Sequence, residues 1–145
     1  MLKSDDSSLL LHSFPVGLYP LPPMTQAQRK VLLVEDDPSI GQLYAIKLRM
    51  DGYRVDLAAD VATAEMLFER STPDVICVDS RLPDGSGREV VTALVKRGAT
   101  VVLLTNDQEA YERPPAGVAR TLLKTRTTPS ALSRAIGELT AARSR

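Results

Sequence analysis

The chain reads as an α/β protein whose parallel sheet is covered by helices on both faces. Three observations predict this. From Lys30 onward, short apolar runs alternate with segments of helical period. Those runs are apolar throughout rather than at every second residue, as strands buried on both faces are. Acids, a hydroxyl residue and a lysine stand at their carboxyl ends, where open α/β sheets hold their ligands.

Lys30–Val34 reads as the first strand and ends in Glu35, Asp36 and Asp37. Pro38 suits the first turn of a helix, with Asp37 as its cap. Ile40, Leu43, Tyr44, Ile46 and Leu48 give that helix its stripe, and Gly52 stops it. Arg54–Ala58 is the second strand. Val61–Arg70 carries Ala64, Leu67 and Phe68 at helical spacing and ends before Pro73. Asp74–Val78 is the third strand and delivers Asp79 at its carboxyl end. Leu82–Gly87 is a turn, in which Asp84 and Gly85 need no catalytic role. Val90, Val91, Leu94 and Val95 form a helical face closed by Gly98. Thr100–Leu104 is the fourth strand, ending in Thr105, and Thr121–Leu123 is a short fifth strand, ending in Lys124. Pro129–Ala142 is the last helix, with Leu132, Ala135, Ile136 and Leu139 on one face. Between the last two strands Pro114-Pro115 breaks the pattern. Proline inside a helix costs about 3 kcal/mol, so Asn106–Arg113 is expected to form one turn or an irregular loop.

At 145 residues, 43% hydrophobic and 25% charged, the chain has the size and composition of one soluble domain. Lys plus Arg and Asp plus Glu are both 18, so charge gives no support to a nucleic-acid or membrane-surface role. The lone Cys77 sits among Val75, Ile76 and Val78 and reads as a buried small hydrophobe in a reducing cytoplasm. The lone His12 excludes a histidine metal cluster. No apolar run approaches the roughly 20 residues that span a bilayer. Serines and prolines dominate the start, which predicts a disordered tail over 1–28, and Met24 offers a second start of translation.

The strand ends carry the chemistry. Glu35, Asp36 and Asp79 together favour a hard divalent cation, because clustered carboxylates repel one another and oxygen ligands suit Mg²⁺. A carboxylate can attack phosphorus to form an acyl phosphate. The ammonium of Lys124 and the hydroxyl of Thr105 are the partners its new oxygens would need. Each has a plainer reading alone: helix-start acids, a turn former, a strand end, a surface charge.

Three segments then carry a resemblance: Val31-Leu-Leu-Val-Glu-Asp-Asp-Pro-Ser39, Asp74-Val-Ile-Cys-Val-Asp-Ser-Arg-Leu-Pro-Asp-Gly-Ser-Gly87 and Val101-Val-Leu-Leu-Thr105. In combination they resemble the receiver domain of two-component response regulators, over about Lys30 to Ala142. The resemblance implies a flavodoxin-like, doubly wound five-stranded sheet of order 2-1-3-4-5, in a receiver domain over 29–143 with no output domain. It implies Asp79 as phosphoacceptor, Asp36 as direct Mg²⁺ ligand and Glu35 acting mainly through water. The backbone carbonyl of Arg81 would be a further ligand, and Thr105 and Lys124 would bind the phosphoryl group. A histidine kinase or phosphotransfer protein would be the donor, and an unidentified protein the target, with no direct nucleic-acid or membrane contact. Beyond taking and slowly hydrolysing its own phosphoryl group, such a domain is not an enzyme.

This chain departs from the family in three places. Thr125 and Arg126 follow Lys124, where proline and an aromatic residue are usual. Thr121 stands where an aromatic switch residue is usual, with Tyr111 the nearest substitute. The span from Thr105 to Lys124 is short, so a conventional dimer through the fourth-helix face is not expected. Arg81 and Asp107 hold positions that influence phosphoryl lifetime in the family, or pair with each other across the site. Two other functions compete: a receiver-like interaction module whose site no longer drives a conformational switch, and a phosphatase with an aspartate nucleophile. The second usually has another Asp two residues on, where Arg81 stands.

Overall fold

The computed structural model describes residues 29–143; the predicted tail, with His12 and Met24, lies outside them. Five strands pair in parallel: β1 (Lys30–Val34), β2 (Arg54–Ala58), β3 (Val75–Asp79), β4 (Val101–Thr105) and β5 (Arg120–Leu123). Their order is β2-β1-β3-β4-β5, the doubly wound sheet that the strand pattern and the resemblance implied. The helices are α1 (Pro38–Met50), α2 (Val61–Ser71), α3 (Gly87–Lys96), α4 (Gln108–Glu112) and α5 (Pro129–Arg143).

Alternation along each strand divides the core in two. Val31 and Leu33 of β1, with Val75 and Cys77 of β3, pack under Tyr44, Ala45 and Leu48 of α1 and Leu132 and Ile136 of α5. Leu32 and Val34, with Ile76 and Val78, pack against Ala64 of α2 and Val90, Val91 and Leu94 of α3. Both faces need apolar residues, so Val31–Val34, Val75–Val78 and Val101–Leu104 are apolar without a break. Each fully buried aliphatic side chain contributes roughly 1.5–3 kcal/mol. Burial also pushes the Cys77 thiol up to about 12, which leaves it a packing residue.

Helix ends follow the sequence signals. Asp37 caps α1, its Oδ1 accepting from Ser39 N at 2.9 Å and Ile40 N at 3.3 Å. Asp107 caps α4, which ends after five residues before Pro114-Pro115, as the prolines predict. Two of the differences from expectation bear on the site. Strands β3 and β4 each run one residue further, taking in Asp79 and Thr105, because ladder partners Leu104 and Leu123 stand opposite them. The turn after β3 is a small hairpin, Arg81–Leu82 against Gly85–Ser86. Its Asp84 has structural work: the two carboxylate oxygens accept from Val61 N at 2.7 Å and Ala62 N at 3.2 Å, tying the hairpin to the start of α2.

Gly87 lets α3 begin against the end of β3. Its N–H donates to the Ser80 carbonyl at 3.2 Å. A Cβ there would lie 2.3 Å from the Asp79 carbonyl oxygen and 2.7 Å from Ser80 Cα, both rigid backbone. Gly87→Ala is therefore expected to destabilise the domain by about 1–3 kcal/mol, as overpacking does. Urea unfolding reads the loss; an unshifted midpoint would mean that the backbone around Ser80 yields freely.

Candidate functional site

Five chain segments converge at the carboxyl edge of the sheet. Glu35 and Asp36 follow β1, Asp79 closes β3, Ser80 and Arg81 open the hairpin, Thr105 closes β4, and Lys124 begins a short 3-10 turn after β5. Lys124 Nζ lies 2.8 Å from Glu35 Oε1 and 3.2 Å from Asp79 Oδ2. Asp79 Oδ1 accepts from Arg81 N at 3.2 Å, and Glu35 Oε2 accepts from Asp37 N at 3.1 Å. Glu35 and Asp79 are buried, whereas Asp36 is exposed.

The electrostatics follow from burial. Loss of water pushes the Glu35 carboxyl up to about 7, outweighing the nearby ammonium. Burial works the other way on Lys124 and would lower it, yet Glu35 and Asp79 together outweigh burial and hold it above its usual value. The ammonium stays charged.

A cation fits the acids. One oxygen each from Glu35, Asp36 and Asp79 can be chosen so that all lie within 4.8 Å of one another. Glu35 Oε1 is buried and accepts no hydrogen bond, so its contact with Lys124 is an ion pair rather than an aligned bond. An all-oxygen set with a lone pair to spare suits Mg²⁺. Beside it opens a cavity of about 290 Å³ lined by Asp36, Asp79, Ser80, Arg81, Asn106, Asp107 and Lys124.

Of the residues picked out from the sequence, Glu35, Asp36, Asp79, Arg81 and Lys124 gather at this cavity and its acidic floor. Thr105 stands behind it, wholly buried, its Oγ1 2.7 Å from Ser80 Oγ and accepting from Asp107 N at 2.9 Å. Arg81 Nη2 and Asp107 Oδ2 lie 3.7 Å apart at the mouth; so exposed a pair contributes little. Tyr111 shares a groove with Thr121 between α4 and β5. Two residues escaped sequence reading. Ser80 shows only as the neighbour of Asp79, and Asn106 as a loop residue, yet Asn106 Oδ1 accepts from Thr125 N at 3.0 Å and steadies the lysine turn.

The family model for the response regulator receiver domain matches residues 31–136. The probable transcriptional regulatory protein TcrX of Mycobacterium tuberculosis is 34% identical over 85 residues, covering 57% of this chain and 36% of TcrX. The photosynthetic apparatus regulatory protein RegA of Rhodobacter capsulatus is 33% identical over 81 residues, covering 54% of this chain and 44% of RegA. The chain thus spans less than half the length of these relatives. Among solved structures, a response regulator receiver domain protein from Methanospirillum hungatei has a TM-score of 0.72 at 23% identity, covering 81% of this chain and 97% of its own. TrrA of Thermotoga maritima, solved with Mg²⁺ and BeF, has a TM-score of 0.69 at 24% identity, covering 77% and 98%. These two likenesses show the fold.

A buried acid with a raised value makes folding favour its protonated form. The contribution of Glu35 is therefore full below its ordinary 4.5 and lost as pH rises through about 7. In metal-free protein, Glu35→Gln is expected to remove that part of the slope of melting temperature against pH. Identical slopes in variant and parent would contradict a Glu35 that holds its proton when folded.

Proposed function

The chain belongs to the response regulator receiver domain family, and from that premise we propose that it signals by carrying a phosphoryl group on Asp79. The observation that carries the reading is a buried carboxylate facing a polar cavity, with one ammonium and two further acids around it. The proposed donor is a phosphohistidine on a histidine kinase or phosphotransfer protein. An Asp79 oxygen attacks phosphorus and forms the new P–O bond. The P–N bond breaks, its electron pair stays with the imidazole, and that ring leaves neutral after taking up one proton.

Lys124 is placed to exchange its contact with Asp79 for one with a phosphoryl oxygen, a charge-assisted bond. Asp36 and Asp79, with Glu35 through water and the Arg81 carbonyl, would hold Mg²⁺. That ion would supply the positive charge which lets an anionic group approach three acids. The output is contact with a target protein in the cytoplasm.

A second reading has an observation in its favour. With Thr121 in place of an aromatic residue and α4 only five residues long, the site has a reduced route to the surface. The chain would then be an interaction module that takes phosphate without switching.

Acetyl phosphate with Mg²⁺ is expected to add one phosphoryl group, seen by intact mass, and none to Asp79→Asn. No addition to the parent protein under conditions that load another receiver would remove the proposal. Backbone NMR with beryllofluoride and Mg²⁺ then divides the two readings. Shifts reaching α4 and Thr121 support a switch, whereas shifts confined to the cavity support the module.

A further inference from the structure

Positive charge gathers at the edge of the sheet where the strands begin, opposite the end that carries Asp79. A cavity of about 470 Å³ opens there, lined by Lys30, Arg49, Arg54 and Arg70 with Tyr53, and Asp56 is the one carboxylate in its wall. That is a local excess of cations in a chain whose formal charge is zero. Strand direction sets two of them side by side. Lys30 and Arg54 are ladder partners in β1 and β2. Leu32 and Ala58, two and four residues further on, pack on the α2 side of the sheet, so Lys30 and Arg54 stand on that side too. Like charges so placed repel, and a bound anion relieves the repulsion.

Two of the four cations are already fixed in place. Lys30 Nζ donates to the Ser71 carbonyl at 3.1 Å, and Arg49 Nη2 to the Val55 carbonyl at 3.0 Å. Each keeps further N–H donors. The guanidinium groups of Arg54 and Arg70 have no hydrogen bond or ion pair among the described residues. Arg97 and Arg120 elsewhere on the surface do, with Glu69 and Glu138. Arg49 and Arg70 lie in the last turns of α1 and α2, where a cation suits the helix dipole. That plainer account does not extend to Lys30 and Arg54, which belong to strands.

We propose that this cavity binds a polyphosphate group. Guanidinium groups meet phosphate oxygens with paired N–H bonds, and three of the four cations here are arginines. The carbonyl ends of α1 and α2 stand at the same edge and disfavour an anion, so one phosphate alone gains little. Two or three linked phosphates meet several cations at once, and the cavity is roomier than the one beside Asp79. The two sites lie at opposite ends of the strands, and the proposal does not depend on Asp79 being a phosphoacceptor.

Calorimetry on the full chain tests this with pyrophosphate and with ADP, at low ionic strength and with EDTA present, so that no metal bridges either anion to the acids near Asp79. Both are expected to bind. Equal affinities support recognition of the phosphates alone, and tighter binding of ADP supports a nucleotide as their source. Arg54→Gln and Arg70→Gln are each expected to weaken pyrophosphate binding about tenfold, the value of one bond to a charged group. Arg134→Gln, which removes an exposed charge from α5, is expected to leave it unchanged. Thermal unfolding separates lost contact from lost fold, and Arg70→Gln carries the test if Arg54→Gln is destabilised. Backbone NMR with pyrophosphate is expected to shift Lys30, Arg54 and Ser71. No binding by the parent protein, equal weakening by all three substitutions, or shifts centred on Asp79 and Lys124 would each overturn the proposal.

Discussion

A single ammonium, that of Lys124, stands against three carboxylates, and the architecture of the site follows from that imbalance. Glu35 and Asp79 are buried, so neither can rely on water, and each takes part of its compensation from the same nitrogen. The acids come from the ends of β1 and β3, in the middle of the sheet, while the cation is brought in after β5 at its edge. A buried excess of negative charge costs stability unless something offsets it. The protein leaves that deficit in place, and the three acids together form a cluster that could hold a cation.

Because so much rests on Lys124, the connection that carries it has to be firm. The resemblance led to the expectation of a proline after this lysine; here the residue is Thr125. Side chains hold the turn instead. Asn106 accepts from Thr125 N, Thr127 Oγ1 donates to the Leu123 carbonyl at 2.6 Å, and the buried Tyr44 hydroxyl donates to the Thr127 carbonyl at 2.9 Å. The last of these ties α1 to the lysine turn. Three hydrogen bonds thus hold the turn, one within it and two from distant parts of the chain.

Much of this was legible in the sequence because parallel strands write plainly. Val31–Val34 and Val75–Val78 must satisfy two apolar faces at once, so they appear as unbroken runs, and the polar residues directly after each run stand at the carboxyl edge by necessity. Asp37, Pro38 and Pro114-Pro115 act within a few residues of themselves, and the helix starts and the short α4 were predictable from them. The contacts that went unread all join residues far apart in the chain. Ser80 and Thr105 are 25 positions apart, and Asp84 reaches back 23 positions to Val61. No spacing rule connects such pairs, since their meeting depends on strand register and on the direction of individual side chains. The hairpin went unread for a related reason: turn residues announce a reversal without saying whether its arms will pair.

The edge strand β5 has a consequence for how the molecule breathes. Every residue of β5 is half-buried, while β1, β3 and β4 are buried almost end to end, and the neighbouring α4 buries none of its residues. Local opening requires least where fewest apolar contacts are lost. Glu35 and Asp79 therefore stand at the ends of deeply buried central strands, whereas Lys124 follows a half-buried edge strand. Opening on the β5 side would thus loosen the ammonium while the two buried carboxylates keep their anchorage.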